Sequence, residues 1–302
     1  MTNQKQAMLF GLGTVLLWST VATAFKLALM DLAPVQLLLI ACASSVLVLG
    51  VILLVQGRWH LVFKLRKRQY LQSFGMGLIN PCLYYLVLFA AFDRLPAQEA
   101  QPLNYTWALV LTYLSVPFLG HKLRRVDIVA GLICYAGVVV IATRGAVTSL
   151  SFSNPFGVGL ALGSTVIWAS YWILATRDQR DPVVGLFLNF LFALPVIALI
   201  CGLTEGIQFH PMASVGAAVY VGVFEMGVAF VLWSYAMKKA ENTSKVSNLI
   251  FISPFLSLVF IYFILGEEIL PSTYIGLVMI MGGLWLQQRK VSAQKQRLVH
   301  ES

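Results

Sequence analysis

Long apolar runs separated by short polar loops dominate the chain. Each run has about the 20 residues that a helix needs to cross the hydrocarbon core of a membrane. Strands of a membrane barrel would be shorter and would alternate apolar with polar residues. The pattern therefore predicts an all-α integral membrane protein with ten transmembrane helices. The predicted spans are roughly 7–29, 34–55, 70–92, 98–119, 126–143, 155–175, 183–203, 212–237, 246–266 and 271–288.

The composition agrees with a chain that is solvated mostly by lipid. Of 302 residues, 59% are hydrophobic and 11% are charged, against about 25% charged residues in a soluble domain. A soluble fold needs a polar exterior and cannot hide so much apolar surface. Soluble enzymes, disordered proteins and disulfide scaffolds are thereby excluded. The four cysteines lie inside apolar runs without metal-ligand spacing, and we expect no metal and no cofactor.

The distribution of charge predicts the orientation in the membrane. Lys and Arg number 21 and Asp and Glu number 12, so the formal net charge is +9. Nearly all the basic residues lie in alternate loops and at the two termini, whereas Lys26, Arg94 and Arg144 fall on the opposite side. Because positive loops remain on the cytoplasmic side, we expect both termini to be cytoplasmic in a bacterial cytoplasmic (inner) membrane. Basic residues confined to short loops do not favour a nucleic-acid partner.

The two halves of the chain resemble each other. Each half carries a glycine followed five residues later by a tryptophan, at Gly13 and Trp18 and again at Gly163 and Trp168. Further matching pairs are Gly120 with Gly266 and Gly137 with Gly283. With an odd number of helices in each half, the second half must be inverted, which is typical of secondary transporters. We expect five-helix repeats at 7–145 and 153–290 and a cytoplasmic tail at 291–302.

These motifs carry a family resemblance over about residues 8–288. The two Gly-x4-Trp segments and the run Ser253-Pro254, Gly266-Glu267, Gly276 and Gly282-Gly283 resemble the EamA repeats of the drug/metabolite transporter superfamily. The segment Asn104-Tyr105-Thr106-Trp107 is similar to the branch that includes bacterial aromatic amino-acid exporters. This chain departs from the pattern at Ala108, where that branch has proline, and at His121, where a Gly-Glu pair is usual.

The resemblance implies an architecture and a site. It implies ten helices in two inverted five-helix bundles around a central cavity. Helices 1, 3, 4, 6, 8 and 9 would line that cavity, and helices 5 and 10 would be peripheral.

One acidic residue lies in the middle of an apolar run. Glu225 is near the centre of the eighth predicted helix, and its counterpart in the third is Asn80. A charge at the bilayer centre costs roughly 2.5–3.5 kcal/mol on insertion scales, so such residues usually face a cavity or a partner. In a cavity, Glu225 could exchange a proton or hold the amino group of a substrate. It could equally be a protonated structural acid that is hydrogen-bonded to a neighbouring helix.

Other polar and aromatic residues within the spans complete the candidate site. Lys26 either extends to the outer interface or attracts a substrate carboxylate from within the cavity, and it aligns better with Ser19 than with Trp18. Aromatic rings in the middle of a span stack on apolar or cationic substrates, or they simply pack. The candidate substrate-binding residues are Trp18, Ser19, Lys26, Asn80, Tyr84, Asn104, Tyr105, Trp107, Trp168, Tyr171 and Glu225.

The sequence favours transport over catalysis. It contains no phosphate-binding Gly-x4-Gly-Lys-Ser/Thr loop, no visible catalytic set for an intramembrane enzyme and no channel filter loop. We expect a secondary active or facilitative transporter that exports small metabolites, amino acids or related amphipathic compounds, by alternating access. A proton-coupled exporter of cationic drugs is the alternative. The expected partners are a small-molecule substrate and the lipid bilayer, and whether protons are also bound is left open. A monomer would suffice for transport, and the oligomeric state is left open.

Overall fold

The computed structural model describes residues 2–120, 122–149, 151–206, 208–241 and 243–300, with side chains described throughout these ranges except at 243, 244 and 288–300. The described residues form helices joined by short loops and contain no β-strand. His121, where the sequence departs from the family pattern, lies outside the described residues.

Fourteen α-helices follow one another along these ranges. They are α1 (Asn3–Leu29), α2 (Pro34–Val55), α3 (Lys67–Gly77), α4 (Tyr84–Arg94), α5 (Ala97–Tyr105), α6 (Trp107–Leu119), α7 (Arg125–Ala142), α8 (Pro155–Ala175), α9 (Pro182–Thr204), α10 (Met212–Tyr220), α11 (Ala229–Lys239), α12 (Thr243–Ser247), α13 (Ser253–Phe260) and α14 (Pro271–His300). Three π-helical segments extend or join these helices, at Leu78–Leu83, Val221–Val228 and Ile261–Leu265.

By length and composition, eight helical stretches of the described residues are able to cross a membrane. They are Asn3–Leu29, Pro34–Val55, Lys67–Arg94, Arg125–Ala142, Pro155–Ala175, Pro182–Thr204, Met212–Lys239 and Lys245–Leu265. Each coincides with a predicted span to within a few residues. The remaining two predicted spans, 98–119 and 271–288, fall on α5 with α6 and on α14. The count of ten transmembrane helices stays a prediction.

Two expected boundaries differ from the structure. The helix expected at 98–119 is interrupted at Thr106, whose hydroxyl donates to the Leu103 carbonyl oxygen at 2.8 Å and so competes with the regular helical bonds. The last helix continues to His300, through residues that the sequence assigns to a cytoplasmic tail. The segment beyond 288 is rich in helix-forming Gln, Lys and Arg and contains neither glycine nor proline, so nothing local ends the helix.

Local sequence explains most other helix ends. Proline occupies the first position of α2, α8 and α9, where its missing N–H has no helical partner in any case. Gly120 and Gly266 follow the α6 helix and the Ile261–Leu265 segment with φ of 71° and 69°. A left-handed residue of this kind closes the end of a helix, and glycine adopts it without strain.

Helices from the N-terminal and C-terminal halves of the chain pack against each other around α1. This helix packs against α10, α11 and α13, while α2 packs along α9, and α4 and α6 pack along α8. α7 and α14 pack closely against each other. A Cβ atom on Gly137 would lie 2.6 Å from the Gly276 carbonyl oxygen, and one on Gly283 would lie 2.8 Å from the Ala130 oxygen. Because glycine has no side chain, these positions allow the two helices to approach each other closely.

Candidate functional site

A cavity of about 110 Å³ lies among α1, α4, α5, α6, α8, α11 and the Val221–Val228 segment. Its walls come from both parts of the chain and are mostly aromatic. The lining residues are Trp18, Val21, Phe25, Tyr84, Leu88, Gln101, Asn104, Tyr105, Trp107, Trp168, Trp172, Glu225, Phe230, Trp233 and Ile250.

A second cavity of about 190 Å³ adjoins the first and shares four of its lining residues. The shared residues are Tyr105, Trp107, Trp233 and Ile250. The second cavity also reaches Leu284, which lies about 20 Å along α14 from Pro271 at the usual helical rise. The combined space therefore extends away from the end of the molecule where α14 begins.

Glu225 is the carboxylate of this cavity. Its Oε1 accepts a hydrogen bond from the Tyr85 hydroxyl at 3.2 Å. Its Oε2 is buried and has no hydrogen-bond partner among the described residues. A buried acceptor without a partner costs free energy, so this oxygen is a place where a ligand's donor would be stabilised.

Glu225 lies in the π-helical segment Val221–Val228, which also contains Gly222 and Gly227. A Cβ atom on Gly222 would lie 2.7 Å from Cβ of Ser44 in α2, so the glycine lets this segment approach α2 closely. π-Helical segments inside longer helices are frequent at functional sites, and this one has eight residues. The segment therefore places the carboxylate on the cavity wall while its backbone packs against a neighbouring helix.

Trp168 is the centre of the aromatic cluster. Its ring stacks with Tyr84, at a centroid distance of 4.5 Å, and with Tyr171 at 5.6 Å. The rings of Trp107, Trp172 and Phe230 meet it edge-on. Only 7% of Trp168 is exposed, so most of this ring packs against protein.

A second aromatic group forms the wall between α1 and α11. The Trp18 ring lies 5.5 Å from Trp233 and 6.1 Å from Phe230, measured between centroids. Trp18 and Trp107 are both more exposed than Trp168. Trp18, Trp107, Trp172 and Trp233 are all half-buried lining residues, so their indoles are the surfaces that the cavity offers to an apolar ligand.

Hydrogen bonds fix the polar side of the cavity. Asn104 Nδ2 donates to Ser164 Oγ at 3.1 Å and lies 3.5 Å from the Tyr84 hydroxyl oxygen. The Tyr105 hydroxyl donates to Ser253 Oγ at 2.8 Å. Ser19 is fully buried behind this pair, 3.4 Å from Ser253 Oγ, and is not among the residues that line the cavity.

Lys26 is not among the residues that line this cavity; the sequence left open whether it extends to the outer interface or attracts a substrate carboxylate. Its Nζ donates to the carbonyl oxygens of Phe92, at 2.9 Å, and Leu95, at 3.2 Å. These carbonyls belong to the end of α4, where helical partners run out and a cation is stabilised. Lys26 instead lines a separate cavity with Asp93 and Glu267.

Asn80 and Tyr171 also lie outside the cavity lining. Asn80 has non-helical backbone angles of φ −141° and ψ 114° inside the Leu78–Leu83 segment. Its side chain is fully buried, and neither polar atom has a hydrogen bond of normal geometry within the described residues. Tyr171 supports Trp168 by stacking. Of the predicted set, Trp18, Tyr84, Asn104, Tyr105, Trp107, Trp168 and Glu225 line the cavity.

Sequence reasoning missed several lining residues and the partner of Glu225. Trp172 lies one turn after Trp168, and Trp233 lies one turn after Phe230. Residues three or four apart share a helix face, so this spacing was the available signal. Tyr85, the hydrogen-bond partner of Glu225, gives no such signal because its contact depends on how two distant segments pack.

Polar contacts join the segment before α14 and the start of α14 to the first turn of α5. Glu267 accepts hydrogen bonds from the backbone N–H groups of Ala97, at 3.0 Å, and Gln98, at 3.2 Å. The Gln98 amide in turn bonds the Glu268 carbonyl oxygen and the Thr273 hydroxyl. A carboxylate is well placed at the first turn of α5, where backbone N–H groups are unpaired. We call Glu267, Gln98 and Thr273 the end clamp.

The loop between α8 and α9 is held by a buried arginine. The Arg180 guanidinium contacts Asp178 at 2.6 Å and also hydrogen-bonds Ser73 in α3. Burial raises the pKa of Asp178, but hydrogen bonds and charge from Arg180 outweigh it, so the pKa lies below its ordinary value. Asp178 is therefore the ionised partner of Arg180 near neutral pH. Across the described residues, no group of three or more His, Cys, Asp or Glu side chains could hold a metal ion.

Comparisons with known proteins agree with a transport function. The model of the EamA-like transporter family matches residues 5–143 and again residues 155–287. An uncharacterized transporter of Archaeoglobus fulgidus is 26% identical over 95% of this chain and 99% of its own length. The aromatic amino acid exporter YddG of Ancylobacter novellus is 26% identical over 79% of this chain and 82% of its own.

Two further matches extend the comparison. A probable terminal-alkyne amino-acid exporter of Streptantibioticus cattleyicolor is 23% identical over 72% of this chain and 73% of its own. A solved crystal structure shares the fold with a TM-score of 0.66 and 24% identity, over 98% of this chain and 99% of that one.

Proposed function

The chain belongs to the EamA-like transporter family, and on that premise we propose that it exports small metabolites by alternating access. The proposed substrates are amino acids or related amphipathic compounds. Transport is secondary active or facilitative. The protein is a multi-pass membrane transporter, and transporters of this kind are not enzymes.

The proposed topology has ten transmembrane helices in two inverted halves, at 7–145 and 153–290, with both termini on the cytoplasmic side of a bacterial inner membrane. The alternation of basic loops supports this orientation. The reciprocal glycine contacts between α7 and α14 support related halves, because Gly137 with Gly276 and Gly283 with Ala130 are contacts between positions that the repeat makes equivalent. Inverted halves place a binding site between them.

The observation that carries the proposal is the aromatic cavity with one carboxylate. It lies between helices of both halves, as a transporter's binding site does. Its apolar walls suit a ligand with an aromatic or aliphatic body. The described lining residues include no lysine, arginine or histidine, whereas a phosphorylated substrate would require cations to pair with it. The exporter names of two relatives also favour amino acids or related compounds.

A proton-coupled exporter of cationic drugs is the second candidate. Glu225 favours it, because a carboxylate with a buried unpaired oxygen holds either a proton or an ammonium group. This candidate differs from the first in the size and charge of the substrate and not in the site.

A thermal-shift screen of the purified full chain tests the proposal. The panel consists of aromatic and aliphatic amino acids, aromatic amines, cationic drugs and sugar phosphates. A ligand that binds the folded state stabilises it by mass action, by about 2.7 kcal/mol at a hundred times Kd. We expect stabilisation by amino acids or amines and none by sugar phosphates. Stabilisation by sugar phosphates alone would contradict the proposed site.

A further inference from the structure

We propose that the central cavity selects a monocation: an aromatic or apolar amine whose carboxyl group is absent or blocked as an amide or ester. The proposal rests on the proposed transport function and narrows its substrate class. Its basis is a cavity that pairs a single carboxylate with indole rings and offers no positive side chain among its described lining residues.

The charges around the cavity are unbalanced. Glu225 supplies the one carboxylate among the described lining residues, and no lysine, arginine or histidine is among them. Lys26 is the basic residue among the substrate-binding candidates from the sequence, but its ammonium group donates hydrogen bonds to the carbonyl oxygens of Phe92 and Leu95. A ligand carboxylate in this cavity would therefore meet another carboxyl group and no counter-charge.

Neutral donors do not replace that counter-charge. Asn104 Nδ2 is already directed at Ser164 Oγ, and the Tyr105 hydroxyl at Ser253 Oγ. The remaining neutral donors of the described wall are the Gln101 amide, the Tyr84 hydroxyl and the indole N–H groups, of which the Trp172 N–H is buried without a hydrogen-bond partner in the described part of the chain. Removing a carboxylate from water without a charged partner is costly, and neutral donors recover only part of that cost.

An ammonium group finds the opposite environment. Glu225 Oε2 is buried without a hydrogen-bond partner in the described part of the chain, so it is free to accept from a ligand N–H. The indoles of Trp18 and Trp107 line the same space, and tryptophan faces are the preferred aromatic partners of cations. Carboxylate and indoles together recognise a positive charge that is attached to an apolar body.

A zwitterionic amino acid satisfies only half of these contacts. Its amino group pairs with Glu225, while its own carboxylate is desolvated beside the same residue. Removing or blocking that carboxylate eliminates the repulsion and the desolvation but keeps the ammonium contact. The cavity therefore discriminates between compounds that differ only at the carboxyl group.

Isothermal titration calorimetry on the purified full chain tests this with four matched ligands: phenethylamine, phenylalanine amide, phenylalanine and 3-phenylpropionate. Titrations at about pH 6.5 keep the amino groups protonated, since an ordinary α-amino group has a pKa of about 7.7–8.0. We expect the amine and the amide to bind at least about tenfold more tightly than phenylalanine, a difference of about 1.4 kcal/mol. We expect no binding of 3-phenylpropionate.

Two variants assign the cause. Glu225→Gln should abolish the preference for the amine over phenylalanine, because the amide has no charge to pair with the ammonium group. Lys26→Gln should leave that preference unchanged, since it keeps a donor to the end of α4 and removes only a charge outside the cavity. Thermal unfolding of each variant without ligand establishes that it is folded. Tyr85→Phe is a milder change, because it removes only the hydroxyl that donates to the Glu225 carboxylate.

The outcomes separate the selectivity from the transport function. If phenylalanine binds as tightly as phenethylamine, the proposed function stands and the monocation selectivity is wrong. If Lys26→Gln weakens phenylalanine binding specifically, Lys26 supplies the missing counter-charge and the selectivity is again wrong. If none of the four ligands binds while amino acids or drugs of other kinds stabilise the protein, the proposed selectivity for an aromatic monocation is wrong. If no compound of the thermal-shift panel or of the calorimetry set binds, the proposed binding site is wrong.

Discussion

At the scale of single residues, chemically similar side chains have different roles. Trp107 and Trp168 both look like cavity tryptophans in the sequence, and both line the cavity. Trp168 nevertheless contacts five aromatic rings and is almost completely buried, whereas the described ring contacts of Trp107 are limited to the edge of Trp168. We therefore propose that the first ring supports the wall and that the second contacts the ligand.

Replacing these two tryptophans should therefore have different effects. Trp168→Ala should lower the free energy of unfolding by about 3–5 kcal/mol, the usual cost of truncating a large buried aromatic side chain. Trp107→Ala should leave stability nearly unchanged and weaken binding of an aromatic amine. Thermal unfolding in detergent, with and without phenethylamine, measures both. Equal losses of stability in the two variants would contradict this division.

Glu225 is expected to couple transport to pH. Glu225→Gln replaces the one carboxyl group of the described cavity wall by an amide of similar shape. It should remove the pH dependence of phenylalanine or phenethylamine efflux from proteoliposomes, because no group in the site then exchanges a proton. Glu205→Gln, an exposed loop position, is the matched control. An unchanged pH profile in Glu225→Gln would exclude Glu225 from proton coupling.

Lys26 shows what a sequence cannot reveal at this scale. The sequence predicted its position near the end of the first span. It also indicated that Lys26 either extends to the outer interface or attracts a substrate carboxylate. Its partners are carbonyl oxygens at the end of α4, more than sixty residues away. Which carbonyls are unpaired depends on where α4 ends and how it packs on α1, and no local pattern around Lys26 contains that information.

At the scale of helices, the sequence predicted position better than internal shape. Apolar length and first-turn prolines located the bounds of α2, α8 and α9 to within a residue. The break at Thr106 and the π segment that carries Glu225 were not predicted. These irregularities follow from a side-chain bond to a carbonyl and from close packing on α2, which hydrophobic periodicity does not record.

The α7–α14 contact supplies an element-scale prediction. A Cβ atom on Gly276 would lie 2.6 Å from the Gly137 carbonyl oxygen, so Gly276→Ala should separate the helices and cost about 1–3 kcal/mol. Gly282 lies in the same helix, and no described atom within 4 Å would meet a Cβ there. Gly282→Ala should change stability by less than about 1 kcal/mol, in the stabilising direction. Thermal unfolding that ranks the two variants the other way round would refute this packing.

At the scale of the whole molecule, the end clamp of Glu267, Gln98 and Thr273 joins the segment before α14, and the start of α14 itself, to the first turn of α5. The adjoining space extends toward the other end, which the loop charges predict to be cytoplasmic. In the proposed alternating access, we expect the end clamp to open while the opposite end of the cavity closes. The all-helical class and the family follow from the sequence, but the contacts of the end clamp come only from the tertiary structure.

Sided accessibility of the cavity tests this exchange most directly. Trp107→Cys, in a protein whose four native cysteines are replaced by alanine, is exposed to a membrane-impermeant thiol reagent in vesicles of either orientation. We expect reaction from the cytoplasmic side, and faster reaction from the outside when Glu267→Gln weakens the end clamp. Leu132→Cys, on the exposed apolar face of α7, should remain unreactive. A Trp107→Cys protein that reacts from neither side, or no faster than Leu132→Cys, would contradict a central cavity that opens alternately.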